Sequence, residues 1–390
     1  MSTLARPEAD ALLPVYRRYP ISIVSGEGCE LVAEDGSRYL DFVAGISVNL
    51  LGYNHPALRA AIARAAETGV LHTSNLYRTA PGEKLAAELV ARSFASHVFF
   101  CNSGAEANEG AFKFARRAAS GPEQREIVAF KGSFHGRTFA TLAATDRPHY
   151  REPFLPLVPG IRIVDPENPA ELERAITAQK TAAVIVEPVQ GEGGINVVPE
   201  SLLQDVRELT SEAGAALIFD EIQCGLGRTG TLFAYQQTGV VPDMVTLAKG
   251  LGGGLPMGAV LVNERIAAAI QPGDHATTFG GGPFVASLAL AQLGVLGEPA
   301  FLAEVKKKGE WLGRRLAQFK ERHPGVAAVR GRGLMWGIEL EDAVQAVIER
   351  AMENGLLVIA AGPNVIRLLP PLTITPKELA KGMDILEKSL

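Results

Sequence analysis

The chain has 390 residues, of which 47% are hydrophobic and 21% are charged, a balance that is ordinary for a folded globular protein and argues against disorder. At ~150 residues per domain, this length suggests two or three lobes. A formal net charge of −5, from 38 basic and 43 acidic residues, leaves no excess of positive charge for binding a nucleic-acid backbone.

The predicted elements begin with two N-terminal strands, GCELVAEDG and RYLDFVAG. Apolar runs then alternate with Ala-rich helical patterns, which predicts an α/β fold with a parallel sheet covered by helices. The predicted strands are HVFFCNS, EIVAFKG, AAVIVEPV, AALIFDE, DMVTLAK and GAVLVN, and the predicted helices are ALRAAIARAAETG, GAEANEGAFKFARRAA and PESLLQDVRELTSEAG. After about residue 290, the runs GLMWGIEL, LLVIAA and VIRLLPPL indicate a smaller α+β lobe that the N-terminal strands join. We therefore expect a large domain over 51–289 and a small domain built from 1–50 and 290–390.

Two charged residues end neighbouring apolar runs. Asp220 lies at the end of AALIFDE, and Lys249, 29 residues later, ends DMVTLAK. Burial disfavours the charged form of such a lysine, and a neutral amine is the form that condenses with an aldehyde. A carboxylate is the partner that the ring nitrogen of pyridoxal phosphate needs. Either residue alone would be an ordinary strand-end charge, but the pair indicates a cofactor site.

The run CNSGAEANEGAFKFARR has Ser103 directly before a predicted helix. The free backbone amides and positive dipole of a helix start suit a phosphate group, to which the serine hydroxyl adds a donor. Serine is also a usual helix cap, and the two roles are compatible.

Other site classes have less support. Gly225, Gly227 and Gly230 spell G-x-G-x-x-G after a predicted strand, but the short run TLFAYQQTGVVPD follows where a dinucleotide fold needs a long helix. The seven histidines include no H-E-x-x-H arrangement, so no metal site is expected. Three widely spaced cysteines favour reduced cytoplasm, and the chain shows neither a signal core nor the ~18 apolar residues that span a membrane.

Nine runs spread over nearly the whole chain carry a more specific signal. They are AGISVNLLGYNHP, SNLYRTAPGEKLA, FFCNSGAEANEGAFKFAR, FHGRTFATLAAT, VIVEPVQGEGGINVV, LIFDEIQCGLGRTGTLFAY, PDMVTLAKGLGGGLPMGAVL, HATTFGGGP and AGPNVIRLLPPLTI. In these runs the chain resembles the class III pyridoxal-phosphate aminotransferases. A minor departure is Gly282, where these enzymes often carry asparagine. The resemblance implies fold type I, with a mostly parallel seven-stranded sheet covered by helices in the large domain and a smaller α+β domain from both termini.

The resemblance also implies a role for each residue of the cofactor site. Lys249 would condense with the aldehyde of pyridoxal 5′-phosphate and then carry the substrate's proton, while Asp220 would keep the ring nitrogen protonated. The other expected contacts are Ser103, Gly104 and Ala105 at the phosphate, Phe134 on the ring face, Gln223 at the phenolic oxygen with Glu221 and Ile222 beside it, and Thr278 from the partner subunit of a homodimer.

Two arginines would bind substrate carboxylates in the resembling enzymes. These are Arg137 in FHGRT, acting with Thr277, and Arg367 in VIRLLPP. Arg367 could instead form a structural ion pair, with Glu192 in QGEGG as partner. We expect both states in alternation, with Glu192 neutralising Arg367 while an ω-amine donor is bound and moving aside for 2-oxoglutarate.

Within the family, the chain is most similar to enzymes that move the ω-amino group of N2-acetyl-L-ornithine to 2-oxoglutarate in arginine biosynthesis. Their products are N-acetyl-L-glutamate 5-semialdehyde and L-glutamate, formed in two half-reactions. Sister enzymes that use succinylornithine, ornithine or the carrier-bound aminoadipate semialdehyde of lysine biosynthesis stay open as alternatives. A nicotinamide-dependent dehydrogenase is the distant alternative that the glycine triplet leaves.

Overall fold

A computed structural model of the chain describes residues 11–390. Its strands are β1 (Ile23–Glu27), β2 (Glu30–Ala33), β3 (Arg38–Asp41), β4 (His97–Cys101), β5 (Glu126–Phe130), β6 (Ile161–Val164), β7 (Thr181–Val186), β8 (Val189–Gln190), β9 (Asn196–Val197), β10 (Ala216–Asp220), β11 (Met244–Leu247), β12 (Gly258–Val262), β13 (Val326–Arg332), β14 (Met335–Leu340), β15 (Leu356–Leu357), β16 (Ile359–Ala360) and β17 (Val365–Leu368).

The helices are α1 (Ala44–Ser47), α2 (Pro56–Glu67), α3 (Ala80–Ala91), α4 (Gly104–Ala118), α5 (Phe139–Ala143), α6 (Pro148–Arg151), α7 (Pro169–Ala175), α8 (Glu200–Glu212), α9 (Glu264–Ala267), α10 (Pro283–Leu296), α11 (Pro299–Arg322), α12 (Gln345–Glu353) and α13 (Pro376–Ser389). The three predicted helices are confirmed as α2, α4 and α8. The last ends where the sequence predicts, because Gly214 has a φ of +64°, which favours glycine.

The central sheet has seven strands within residues 11–390, in the order β4-β12-β11-β10-β7-β5-β6. Its pairs are parallel except that β12 runs antiparallel to both β11 and β4. The mostly parallel sheet is therefore confirmed. Strands β7, β10, β11 and β12 are buried at every position, which explains their near-continuous apolar sequences. The sequence analysis missed β6, a short edge strand that is only partly buried.

The N-terminal strands join the C-terminal part of the chain, as the sequence predicts. One sheet has the order β1-β2-β3-β15, in which Leu40 of β3 pairs with Leu356 of β15. A second has the order β13-β14-β17-β16. The run LLVIAA, predicted as one strand, is divided at Val358 between these two sheets, and β13 was not predicted. The domain boundaries proposed from the sequence remain a prediction.

The glycine triplet after β10 does not open a helix. Gly227 and Gly230 have φ values of +89° and +100° and lie in turns that pack against the C-terminal part of the chain. Between them, Arg228 is fully buried and donates to Ser47 Oγ at 3.1 Å and to the carbonyl oxygens of Leu334 and Pro370. Burial lowers the pKa of Arg228 to about 9. The triplet therefore serves local packing around a buried arginine.

No single helix among the described residues is long and apolar enough to cross a membrane. The helices α10 and α11, which meet at 69°, would together be long and apolar enough, but only by length and composition. No group of three or more histidine, cysteine, aspartate or glutamate side chains in residues 11–390 is arranged to hold a metal ion.

Candidate active site

A cavity of about 500 Å³ lies at the carboxyl ends of the central strands, a size typical of sites for small ligands. Parallel strands bring these ends together at one edge of a sheet, which is where open α/β folds bind ligands. Nine of the sequence-predicted site residues line the cavity: Ser103, Gly104, Ala105, Phe134, Arg137, Asp220, Ile222, Gln223 and Lys249.

Helix α4 begins at the cavity. Ser103 is its N-cap, and the serine Oγ accepts from the backbone N–H of Glu106 at 3.2 Å. First-turn amides such as those of Gly104 and Ala105 have no partner within a helix and are free to bind an anion. A Cβ on Gly104 would lie 2.8 Å from Ile222, so the helix start packs directly against the segment that follows β10. The cap and the anion cup predicted here are both consistent with this geometry.

Asp220 is held by a buried polar network. Its Oδ2 accepts from Asn108 Nδ2 at 2.8 Å and lies 2.8 Å from Nδ1 of His135, while its Oδ1 accepts from the N–H of Ile222 at 3.1 Å. Asp220 and His135 are 4% and 2% exposed. These contacts fix the orientation of a carboxylate that faces the cavity, so it can meet a cationic ring nitrogen in one defined geometry.

Glu187 is a second buried carboxylate beside this network, and the sequence analysis missed it. It follows β7, lines the cavity, and accepts from the backbone N–H groups of Phe134 and Gly191 at 2.8 and 2.9 Å. Burial raises its pKa, and the charge of Asp220 adds to this while His135 opposes it. A signal was present, because Glu187 ends a buried strand of the same sheet as Asp220. Asn108 and His135 carried no comparable sequence signal.

Lys249 is half-buried at the cavity and has a left-handed φ of +43°. Non-glycine residues in this region are strained, and such strain is concentrated at functional sites. Burial lowers the pKa of the lysine, partly offset by the charges of Asp220 and Glu192. A larger fraction of the amine is therefore neutral, and nucleophilic, than in an exposed lysine.

The expected ion pair of Arg367 is present. Arg367 is 2% exposed, and its Nη1 donates to the carboxylate of Glu192 and, at 3.1 Å, to Gln223 Oε1. Burial alone would raise the pKa of Glu192, but Arg367 and then Lys249 hold it below its usual value. The pair lies behind Gln223, so Arg367 is one side chain away from the cavity surface.

Two other arginines hold the backbone that follows the Glu192 side chain. Arg147 Nη2 donates to the carbonyl oxygen of Glu192 at 2.7 Å, and Arg330 Nε donates to that of Gly194 at 2.7 Å. These two hydrogen bonds restrain the loop backbone directly after the Glu192 side chain.

Three other predicted residues lie outside the cavity lining. Thr277 accepts from Asn102 Nδ2 at 3.1 Å, and Thr278 beside it is exposed. The carboxylate of Glu221 accepts from the N–H groups of Ala234 and Tyr235 at 2.6 and 2.7 Å, and burial raises its pKa to about 7. Thr278 thus has no contact with the cavity of its own chain.

A family model described as aminotransferase class-III matches residues 14–390. The acetylornithine aminotransferase of Methanocaldococcus jannaschii is 47% identical over 96% of this chain and 95% of its own length. The succinylornithine transaminase of Yersinia pseudotuberculosis is 43% identical over 95% and 92%. The solved N-acetylornithine aminotransferase of Stenotrophomonas maltophilia is 39% identical, covers 96% of both chains and superposes with a TM-score of 0.83. The expected fold class is confirmed.

Proposed function

The chain belongs to the class III aminotransferases, and we propose that it moves the ω-amino group of N2-acetyl-L-ornithine to 2-oxoglutarate. The products would be N-acetyl-L-glutamate 5-semialdehyde and L-glutamate. The observation that carries the proposal is that Lys249, Asp220 and Arg137 line one cavity, while a second arginine, Arg367, lies directly behind the lining residue Gln223. Similarity to acetylornithine aminotransferases over nearly the full chain supports the choice of donor.

The residues present fit pyridoxal 5′-phosphate as the cofactor. The amides and hydroxyl at the start of α4 suit its phosphate, Asp220 suits its ring nitrogen, and Lys249 suits its aldehyde. Phe134 lines the same cavity and suits the ring face, and Gln223 suits the phenolic oxygen. When bound, this cofactor supplies an aldehyde that exchanges amines and a ring that withdraws electrons from the carbon losing its proton.

Each side chain of the site then has a separate role. The Nζ atom of Lys249, with its lowered pKa, takes and returns the proton of the reacting carbon. Asp220 is held in a fixed position because Asn108 and the N–H of Ile222 both donate to it. Arg137 binds the carboxylate of the donor, and Arg367 binds the α-carboxylate of 2-oxoglutarate once Glu192 rotates away.

We also propose a homodimer with shared sites. Four apolar side chains are each more than 60% exposed: Leu71, Leu76, Tyr77 and Phe279. Asn75 Nδ2 donates to the carbonyl oxygen of Thr277 at 2.8 Å, which joins this surface to the segment that holds Thr277 and Thr278. Exposed apolar residues near one another are typical of interaction surfaces. A second copy docked there would receive Thr278 at the phosphate of its cofactor.

The direct test is the full reaction with purified enzyme loaded with pyridoxal phosphate. Adding N2-acetylornithine should change the visible absorbance of the bound cofactor, and adding 2-oxoglutarate should restore it with one equivalent of glutamate formed. Lys249→Ala should bind the cofactor through the helix start but give neither change. If the loaded wild type does not respond to N2-acetylornithine but responds to N2-succinylornithine, the donor is that of the sister enzyme. Failure to bind pyridoxal phosphate would overturn the proposal.

A further inference from the structure

Arg137 at the cavity and Arg367 behind it are held in opposite ways. Arg367 is buried and paired with Glu192. The Arg137 side chain is exposed at the cavity and forms no ion pair or hydrogen bond with any group in residues 11–390. An unpaired arginine on a surface samples many rotamers. A ligand that fixes one of them binds more weakly, because the side chain loses conformational entropy. Arg137 therefore needs another source of order if it is to bind a carboxylate well.

The guanidinium of Arg137 lies over the ring of Tyr150. The Cζ atom of Arg137 lies 3.4 Å from the centre of the Tyr150 ring, compared with 5.6 Å from that of Phe134. The tyrosine ring is itself partly buried in α6 and meets the Phe134 ring edge-on at 6.5 Å. The His149 ring lies 4.0 Å from it. Aromatic neighbours thus hold the ring on which the guanidinium lies.

Stacking and ion pairing occupy different parts of a guanidinium. A carboxylate partner takes the N–H edge, as Glu192 does at Arg367, whereas an aromatic ring takes the flat face. Arg137 is therefore ordered by Tyr150 while its N–H edge remains free. That edge is the part that binds a carboxylate bidentately.

We propose that Tyr150 is a positioning residue that keeps Arg137 as a permanently open carboxylate clamp. The clamp selects donors and acceptors that carry a carboxylate at the far end of the carbon chain from the reacting carbon. Both proposed substrates have such a group, so the clamp stays in use through both half-reactions while Arg367 is alternately covered and open. This inference rests on the proposed function for the identity of the substrates.

The test compares Tyr150→Leu, which removes the aromatic face, with Tyr150→Phe, which keeps it and removes the hydroxyl. Phe154→Leu is the matched control, because Phe154 is 53% exposed in the same segment and forms no ring or cation contact with any group in residues 11–390. Tyr150→Leu should raise KM for donor and acceptor about three- to tenfold with kcat changed less than about twofold. It should weaken the binding of glutarate to the loaded enzyme by the same factor in calorimetry. Tyr150→Phe and Phe154→Leu should match the wild type.

A double-mutant cycle decides whether Tyr150 acts through Arg137. Lysine cannot lie flat on the ring, so adding Tyr150→Leu to Arg137→Lys should cause little further loss of glutarate affinity. Additive losses of glutarate affinity in the double mutant would overturn the proposal. So would equal losses in Tyr150→Leu and Tyr150→Phe, or no loss in either variant. A wild type that does not bind glutarate would also overturn it. Glutarate binding does not depend on the donor, so failure to use N2-acetylornithine would count against the proposed function alone.

Discussion

The carboxylate of Glu192 covers the guanidinium of Arg367, and the two partners differ in how they are held. The Arg367 side chain is 2% exposed and also donates to Gln223 and to the carbonyl oxygen of Ala360, whereas the Glu192 side chain is 27% exposed. Breaking a buried pair leaves an uncompensated charge unless a ligand replaces the missing partner. We therefore expect the acid to be the member that moves and a substrate carboxylate to replace it.

Removing this acid should change which donors are used. Glu192→Ala leaves Arg367 free for an α-carboxylate, so the ratio of kcat/KM for N2-acetylornithine to that for glutamate should fall about tenfold or more. Steady-state kinetics with both donors measures the ratio, and Glu310→Ala, on an exposed face of α11, serves as the control. An unchanged ratio would show that Glu192 does not act as a switch.

Replacing the carboxylate at the end of β10 should separate binding from turnover. Asp220→Asn keeps the shape of the side chain and its contact with the N–H of Ile222, but an amide cannot stabilise a cationic ring nitrogen. We expect cofactor to be retained in part and kcat to fall by about 10²-fold or more, the scale of losing one preorganised electrostatic contact. Cofactor content by absorbance and kcat are both measured. A variant with wild-type kcat would contradict the role.

Thr278 should affect the cofactor only through the dimer. Thr278→Val is expected to weaken pyridoxal phosphate binding several-fold, because one donor to the phosphate is lost, while the dimer itself persists. Ser25→Val, an exposed position in β1 that is remote in sequence from the site, is a control for hydroxyl loss in general. Cofactor titration and sedimentation velocity are the measurements. A monomeric wild type would contradict the shared site, and an unaltered cofactor affinity in Thr278→Val would contradict the contact.

Glu221 should make the stability of the protein depend on pH. Burial raises its folded-state pKa from 4.5 to about 7, so the folded protein binds a proton at Glu221 more tightly than the unfolded chain does. Its contribution is fully present below about pH 4.5 and is lost as the pH rises through about 7. Glu221→Gln should therefore gain about 1–3 kcal/mol relative to the wild type between pH 5 and pH 8.

Urea unfolding at the two pH values measures this effect, with Glu321→Gln, an exposed position at the end of α11, as the control. If the stabilities of wild type and Glu221→Gln change in parallel with pH, the buried carboxylate is not the group that titrates.

The central sheet could be predicted because its strands are buried on both faces and their sequences are continuous apolar runs. The same reasoning missed β6, whose edge position leaves residues exposed, and it joined β15 to β16 because Val358 is apolar like its neighbours. Lys249 and Asp220 were found from their positions at strand ends. Chain direction and apolar pattern therefore account for most of the framework.

The support around these residues could not be predicted in the same way. Asn108 lies four residues into α4 and reaches Asp220 because α4 packs against the sheet, whereas His135 reaches it from the loop that follows β5. The contact of Tyr150 with Arg137 likewise depends on where α6 is placed. Such contacts join segments with no shared periodicity, so no local pattern marks them.

The pairing of Leu40 with Leu356 also has a consequence for how the protein is made. During synthesis, β3 leaves the ribosome long before its partner β15 exists, so its free edge must wait for the end of the chain. The residues that suit the cofactor, from Ser103 to Lys249, are complete much earlier, whereas Arg367 follows β15. A nascent chain released before residue 356 would thus have the strands of the central sheet but not Arg367, and would expose an unpaired strand edge that invites aggregation.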